Sequence, residues 1–545
     1  MPIESSFLPI TVPPVDLWTF FFEKTDREYP VDHVLYVDIA AQKRLTFRDI
    51  RTAAEQFGRG LLQHWRWHGG DVLALMTPNS ADVAAVIFGT LFAGGVVCPL
   101  NNLYTVGELV SQLESSKAKA LATNVACLEV ACKAASIVGL PLDRILLVGD
   151  VDSKSKFQHF SSLQNTSAST KKVVINPKED LAFLVYSSGT TGLPKGVMLT
   201  HENMVANILQ NHAAEAGLLD WKKDRSLGVL PMYHIYGIAV LILAPLHRGV
   251  TTYIMQRFDL GTFCSAIEQE RITIAYIVPP IALALAKSPL IDQYNLRSLR
   301  MLHSSAAPTA KDVIGAVHRR LGVPVKQGYG LSEASPGVAS QSLEDWNKPI
   351  GCSGRLIASM SLKIMHNGKE VSHREEGEIW IKGPNIFKGY YNNPRATAES
   401  IDAEGWYRTG DVGYVDEQNN IYITDRVKEL IKYNGFQVAP AQLEGLLLAH
   451  PAVVDVAVIG VHSDQRGTEL PRAYIVVADG YKGDGPLEQD LYKWLHERVA
   501  PYKRLRGGIR FVDTIPKSNA GKLLRRVLVE KAKQVDTQEV AKPRL

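Results

Sequence analysis

Cysteine is rare in this chain. Its 545 residues hold five, Cys98, Cys127, Cys132, Cys264 and Cys352, scattered and odd in number. Such a set builds no disulfide framework. With no histidine or second cysteine pair to accompany Cys127 and Cys132, it builds no zinc site either; reduced thiols of an intracellular protein are expected. Charge of one sign is also lacking. A net charge of +4 over this length implies no nucleic-acid partner and no membrane surface. The longest apolar runs, residues 83–100 and 238–246, are broken by glycine or too short to cross a bilayer, so no membrane span is expected. The opening Met1-Pro2-Ile3-Glu4-Ser5-Ser6 has neither a basic nor an apolar segment, so no secretory signal is expected. No internal repeat is visible, and the Ser-, Lys- and Gln-rich residues 153–172 read as a surface loop.

What is present is an ordinary globular composition, 46% hydrophobic and 21% charged. The length suits roughly two to four domains. One stretch organises the chain, from Tyr186-Ser187-Ser188-Gly189-Thr190-Thr191-Gly192 to Leu193-Pro194-Lys195-Gly196. Apolar residues 181–185 before it read as a buried strand, and Thr200-His201-Glu202-Asn203 after it as a helix start, so the loop is expected between a strand and a helix. Its glycines let backbone N–H groups approach a ligand and form an anion-binding concavity. Ser187, Ser188, Thr190 and Thr191 add hydroxyls, and Lys195 adds a fixed positive charge. The combination suits a polyphosphate. It is not a Walker A loop, because Pro194 stands before Lys195 and Gly196 follows it.

Strand-like and helix-like segments alternate through the first three hundred or so residues, which predicts a doubly wound parallel sheet with helices on both faces. An aromatic run at residues 17–22 reads as a core-facing helix. Several predicted strands end in marked residues: Pro231-Met232-Tyr233-His234-Ile235-Tyr236-Gly237, Pro279-Pro280, Ser304-Ser305-Ala306-Ala307-Pro308, and Gly328-Tyr329-Gly330-Leu331-Ser332-Glu333. In open α/β sheets ligands bind outside such carboxyl ends, so these segments are expected to converge on one cleft. From residue 362 short alternating runs predict antiparallel strands, a small distorted barrel; beyond 425–428 a compact α+β domain is expected.

On these motifs, which follow in the same order over nearly the whole chain, the sequence resembles the adenylate-forming superfamily of acyl-CoA synthetases, stand-alone adenylation domains and luciferases. In detail it resembles 4-coumarate-CoA ligase and related aryl- and fatty-acyl-CoA ligases. The resemblance implies an adenylation domain over residues 1–427, its barrel near 362–425, and a mobile cap domain over 428–545. It implies ATP, Mg2+ and coenzyme A as the molecules bound, with a small carboxylic acid as substrate. Ser187 to Lys195 would hold the β- and γ-phosphates. Glu333 would meet Mg2+, Ser332 (threonine is commoner) the α-phosphate, and Tyr329, in Gln327-Gly328-Tyr329-Gly330, the adenine. Asp411 in Tyr407-Arg408-Thr409-Gly410-Asp411 would accept the ribose hydroxyls, and Arg426 would reach ribose or phosphate. Lys522 in Pro516-Lys517-Ser518-Asn519-Ala520-Gly521-Lys522 would stabilise the adenylation transition state. Lys428 matches the hinge about which the cap swings, presenting Tyr433-Asn434-Gly435-Phe436-Gln437 to the thiol. Lys432 and Gln437 match positions around the nucleotide, Gly435 lets the pantetheine arm pass, and Arg257 matches a basic position near the CoA phosphates. Asn434 departs from the basic residue frequent in plant relatives.

By the same resemblance His234 and Tyr236 line the mouth of the acyl pocket, Val240 forms a wall, and Ala306, Gly330, Pro336, Gly337 and Val338 shape its floor. These small apolar residues favour an aromatic or medium-chain acid, and no fixed cation is evident there. Ser305 departs from the usual glycine and reshapes the wall. Adenylation followed by loading of a carrier protein is the alternative; no carrier domain follows Lys522. A luciferase-like oxidation and a nucleotide sensor without turnover are further readings. The terminal Pro543-Arg544-Leu545 is a loose relative of the Ser-Lys-Leu peroxisomal address, so an import receptor is a candidate partner and peroxisome and cytosol both stay open.

Overall fold

The computed structural model describes residues 2–149, 156–164, 170–187, 194–215, 217–426, 429–433, 436–463, 466, 468–518 and 522–540, with backbone alone at 437 and 535–540. Ser188, Gly189, Thr190, Thr191, Gly192, Lys428, Asn434, Gly435, the terminal tripeptide and the side chain of Gln437 therefore lie outside the described residues.

Among the described residues, two large sheets carry the N-terminal part of the chain. One has eight strands, with parallel Val72–Met76 at its centre between Val96–Pro99 and Ala120–Thr123. Val72–Met76 is buried along its whole length, as befits a parallel strand covered on both faces. The second sheet has nine strands; Arg225–Gly228, Ile274–Ile277, Met301–Ser304 and Val325–Gly330 run parallel side by side. Helices pack closely between the layers. Phe47–His64 meets the fully buried Val83–Phe92 where Gly58 faces Gly89; a Cβ on Gly58 would stand 2.6 Å from the Gly89 carbonyl oxygen. The aromatic run forms a short π-type turn, Thr19–Glu23, and Phe22 packs edge-on to Phe88 at 5.0 Å.

The organising loop sits differently from expectation. Residues 188–193 join strand Leu181–Ser187 to a second strand, Lys195–Thr200, antiparallel to it, with Ser187 opposite Lys195. The helix His201–Ala214 begins only after this hairpin, capped by Thr200, whose side chain accepts from Asn203 N while Asn203 returns the bond. The cause lies in Gly196-Val197-Met198-Leu199: its inward residues Val197 and Leu199 are fully buried, while Met198 on the other face is only partly so.

A third, antiparallel sheet contains Ser361–His366, Gly377–Lys382, Tyr407–Val415 and Ile421–Arg426, joined at one edge by Ile3–Glu4 from the chain start. The C-terminal unit has its own core. Antiparallel Val453–Ser463 and Thr468–Val477, with parallel Gly508–Phe511, bury Val456, Val458, Ile475 and Ile509 against helices Pro440–Leu448 and Gly485–His496. It rests on the large domain through Lys287, whose Nζ donates to the Val453 carbonyl at 2.7 Å, and through Ala441 N, which donates to Asp425 at 3.2 Å.

Candidate functional site

A cavity of about 280 Å3 lies between the large domain and the C-terminal unit. The backbone at Ala306-Ala307-Pro308 and Gly328-Tyr329-Gly330 lines one side, and Asp411, Arg426 and Lys522 line another. Strand pairing explains part of this convergence: Asp411 and Arg426 face each other across Tyr407–Val415 and Ile421–Arg426. Asp411 is 3% exposed; the Tyr329 hydroxyl donates to its Oδ2 at 2.6 Å, and Arg426 forms an ion pair with it, Nε standing 3.0 Å from Oδ1. A carboxylate offers about four lone-pair sites. Two remain for hydroxyls entering from the cavity.

Glu333 stands on the short turn Ser332–Ala334, beside Ser332 and across from the start of the glycine-rich loop. Ser187 Oγ donates to Glu333 Oε1 at 3.3 Å, and the Tyr390 hydroxyl donates to the same oxygen at 3.0 Å. Lys195 Nζ lies 4.7 Å over the ring of the same Tyr390. Ser187, Lys195, Glu333 and Ser332 line neither this cavity nor the smaller one described below. Burial raises the Glu333 carboxyl pKa above its ordinary value. The described residues contain no cluster of three or more His, Cys, Asp or Glu side chains able to cage a metal. A single buried carboxylate whose known donors both use one oxygen fits the way Mg2+ is held, by one or two carboxylates with waters and substrate phosphates.

Lys522 lines the cavity from the C-terminal unit. Lys517 and Leu523 pair as an isolated bridge, and Ser518 N donates to the Lys522 carbonyl at 2.7 Å. Burial, then the nearby Arg426 charge, lowers the ammonium pKa to about 8. The proton is therefore lost as pH rises through that value. If the cation is the working form, kcat/KM for adenylation is expected to fall above about pH 8. The fall in kcat is expected at higher pH, because bound triphosphate holds the proton. Pyrophosphate-exchange profiles at limiting and saturating ATP measure both.

A second cavity, of about 100 Å3, shares Ala306, Gly328, Tyr329 and Gly330 with the first. Of the residues expected to line an acyl pocket, His234, Tyr236, Val240, Ala306, Gly330, Pro336 and Gly337 do so. His234 Nδ1 accepts from Tyr236 N at 3.2 Å; burial, and next the Lys522 charge, lower its pKa to about 4, so its ring is neutral near pH 7. Val338 is a correction. The strand Gly337–Ser340 alternates, so Gly337 and Ala339 face the cavity while Val338, 0% exposed, packs into the core. The expectation that no fixed cation is present is a second correction. Arg248 lines this cavity together with Glu215, and their side chains meet at 3.2 Å. Neither carried a motif in the sequence.

Other residues stand apart. Gln327 lines the larger cavity, but its side chain is tied to backbone, accepting from Thr309 N at 3.1 Å and donating to the Cys352 carbonyl at 3.1 Å. Lys432, exposed on strand Ile431–Tyr433, and Arg257, exposed after strand Thr251–Ile254, lie outside both cavities. Sequence reasoning also missed Arg525, which joins Glu429 and, at 2.7 Å, Glu444.

Comparison with known proteins agrees with this geometry. The profile of the AMP-binding enzyme family matches residues 22–391, and that of the AMP-binding enzyme C-terminal domain matches residues 442–522. Probable 4-coumarate–CoA ligase 1 of Dictyostelium discoideum is 37% identical, with 91% of this chain and 92% of the relative covered. The 4-coumarate–CoA ligase of Pinus taeda is also 37% identical, with 94% of each covered. Among solved structures, ATP-bound MatB from Rhodopseudomonas palustris superposes with a TM-score of 0.84 at 26% identity, covering 95% of this chain and 99% of that one. The o-succinylbenzoate CoA synthetase of Bacillus subtilis, in complex with its acyl-adenylate intermediate, gives 0.78 at 26% identity, covering 94% and 98%. The chain belongs to the AMP-binding, adenylate-forming enzyme family.

Proposed function

We propose that this protein is an ATP-dependent acid–CoA ligase. A carboxylate oxygen of the acid attacks the α-phosphorus of ATP, the bond to the β-phosphate oxygen breaks, and pyrophosphate leaves. The CoA thiol then attacks the acyl carbon of the adenylate and AMP departs. One observation carries the reading: a lysine from the C-terminal unit lines a nucleotide-sized cavity that shares a wall with a separate, largely apolar one.

The residues divide the work. Asp411, held by Tyr329 and Arg426, accepts the ribose hydroxyls. Ser187 and Lys195 meet the terminal phosphates, and Glu333 with Ser187 would hold Mg2+, which offsets phosphate charge when bound. Lys522 stabilises charge gathering on the α-phosphate in a site that excludes water. Neutral His234 and the walls at Val240 and Gly337 orient the acid so that its carboxylate meets the shared wall. The relatives named as CoA ligases favour CoA over a carrier protein as acceptor, and the small cavity favours an aromatic or medium-chain acid.

The test is pyrophosphate release over a panel of cinnamic, benzoic, phenylacetic and C6–C16 acids, followed by addition of CoA or a carrier protein. The expected outcome is acid-dependent release, with thioester and AMP formed on free CoA. Release that ignores every acid, or thioester formed only on the carrier, would sink the reading.

A further inference from the structure

The acyl cavity is not apolar throughout. Glu215 and Arg248 line it on a side absent from the nucleotide cavity. The strand register builds the rest of that side: His303 lies between Tyr276 and Lys326 as cross-strand neighbours. Lys326 Nζ sits 2.6 Å from Glu215 Oε1, and Arg248 Nη2 sits 3.2 Å from Glu215 Oε2. These three side chains are 1%, 8% and 10% exposed for Lys326, Arg248 and Glu215. His303, 9% exposed, lines the cavity with neither ring nitrogen hydrogen-bonded among the described residues. Glycine at 328 makes room for that ring, since a Cβ there would stand 2.8 Å from His303 Nε2.

The charges do not cancel. Two buried cations share one carboxylate. His303 is neutral because burial, then Lys326, drive its pKa to about 3, and His247 at the cavity edge is neutral for the same first reason. Tyr236 and Tyr276 stay protonated through burial. The other polar side chains on the lining carry no charge either: His234 is neutral, Tyr329 stays protonated, and the rest are the amides of Asn207 and Asn211 and three serine hydroxyls. Asn211 already accepts Arg248 through its backbone carbonyl at 2.9 Å. The Glu215, Lys326 and Arg248 cluster, of which Glu215 and Arg248 line the cavity, thus holds one positive charge in excess, and buried charge is costly without a partner. A trapped water would satisfy His303 but leave that charge uncompensated.

We propose that the acid activated here carries a second carboxylate at the end remote from the reacting one, paired with Arg248 and hydrogen-bonded by neutral His303. This rests on the acid-activating reading above and narrows its substrate class. The test compares matched acids in pyrophosphate release: 4-carboxycinnamic against 4-methylcinnamic acid, and adipic against hexanoic acid. The wild-type kcat/KM is expected to favour the dicarboxylic member of at least one pair by roughly tenfold or more. Arg248→Met is expected to reverse that ratio, and His303→Phe to reduce it several-fold. Preference for the monocarboxylic member of both pairs in the wild type, or an unchanged ratio in Arg248→Met, would overturn the subsite. The wild-type ratios decide alone if the variants fail to fold. Release with the monocarboxylic acids only removes the subsite and leaves the ligase reading standing; no release with any acid removes both.

Discussion

Lys522→Ala is expected to lower acid-dependent ATP–pyrophosphate exchange by about 10²–10³-fold, the scale seen when one preorganised transition-state donor is removed. Thioester formation from supplied acyl-adenylate is expected to change by no more than about threefold. The reason is where the ammonium sits. It enters the nucleotide cavity from the C-terminal unit, and burial lowers its pKa to about 8, so the folded protein holds the cation at a cost. Such a group acts where negative charge gathers on the α-phosphate. Thiol attack on the adenylate has no pentavalent phosphorus, so the lysine has no matching task there. Removing a buried charge that burial disfavours also relieves strain, and the variant is expected to fold. Equal losses in both half-reactions would show that the C-terminal unit keeps a single position throughout turnover.

The sequence showed most clearly those features that follow a period or a fixed spacing. Buried parallel strands such as Val72–Met76 read as apolar runs, and the Thr200 cap marked a helix start that the structure places at His201. The hairpin that carries Lys195 was hidden because Lys195-Gly196 reads as loop chemistry, although Val197 and Leu199 bury one face of a strand. Val338 was misplaced by one residue of strand alternation, enough to move a side chain from cavity to core. The Glu215, Arg248 and Lys326 cluster could not be seen in one dimension. Lys326 and Glu215 are 111 residues apart, and a lone charged residue at a helix end reads as solvated until folding encloses it. The Tyr329–Asp411–Arg426 arrangement is the opposite case: each member sat in a recognisable segment, and folding supplied only the distances.

Those distances lead to the second large effect. Asp411→Asn is expected to raise KM for ATP and to reduce kcat/KM for ATP by about 10²-fold or more, with KM for the acid little changed. Asp411 is buried, and its charge is matched by Arg426 at 3.0 Å while the Tyr329 hydroxyl donates at 2.6 Å. An amide offers one acceptor oxygen in place of two, so it cannot serve the tyrosine, the arginine and two ribose hydroxyls together. Arg426, whose side chain is 33% exposed, would lose its counter-charge, and leaving one member of a partly buried charged pair unmatched destabilises the fold. Part of the loss is therefore expected as a lower Tm, which ATP binding would narrow less in the variant than in the wild type. The discriminating measurement uses the nucleotide. Wild-type enzyme should prefer ATP over 2′,3′-dideoxy-ATP, and the variant should lose most of that preference because the group that reads the diol has gone. If Asp411→Asn still separates the two nucleotides as the wild type does, Asp411 only holds Tyr329 and Arg426 in place, and the ribose is read by another group.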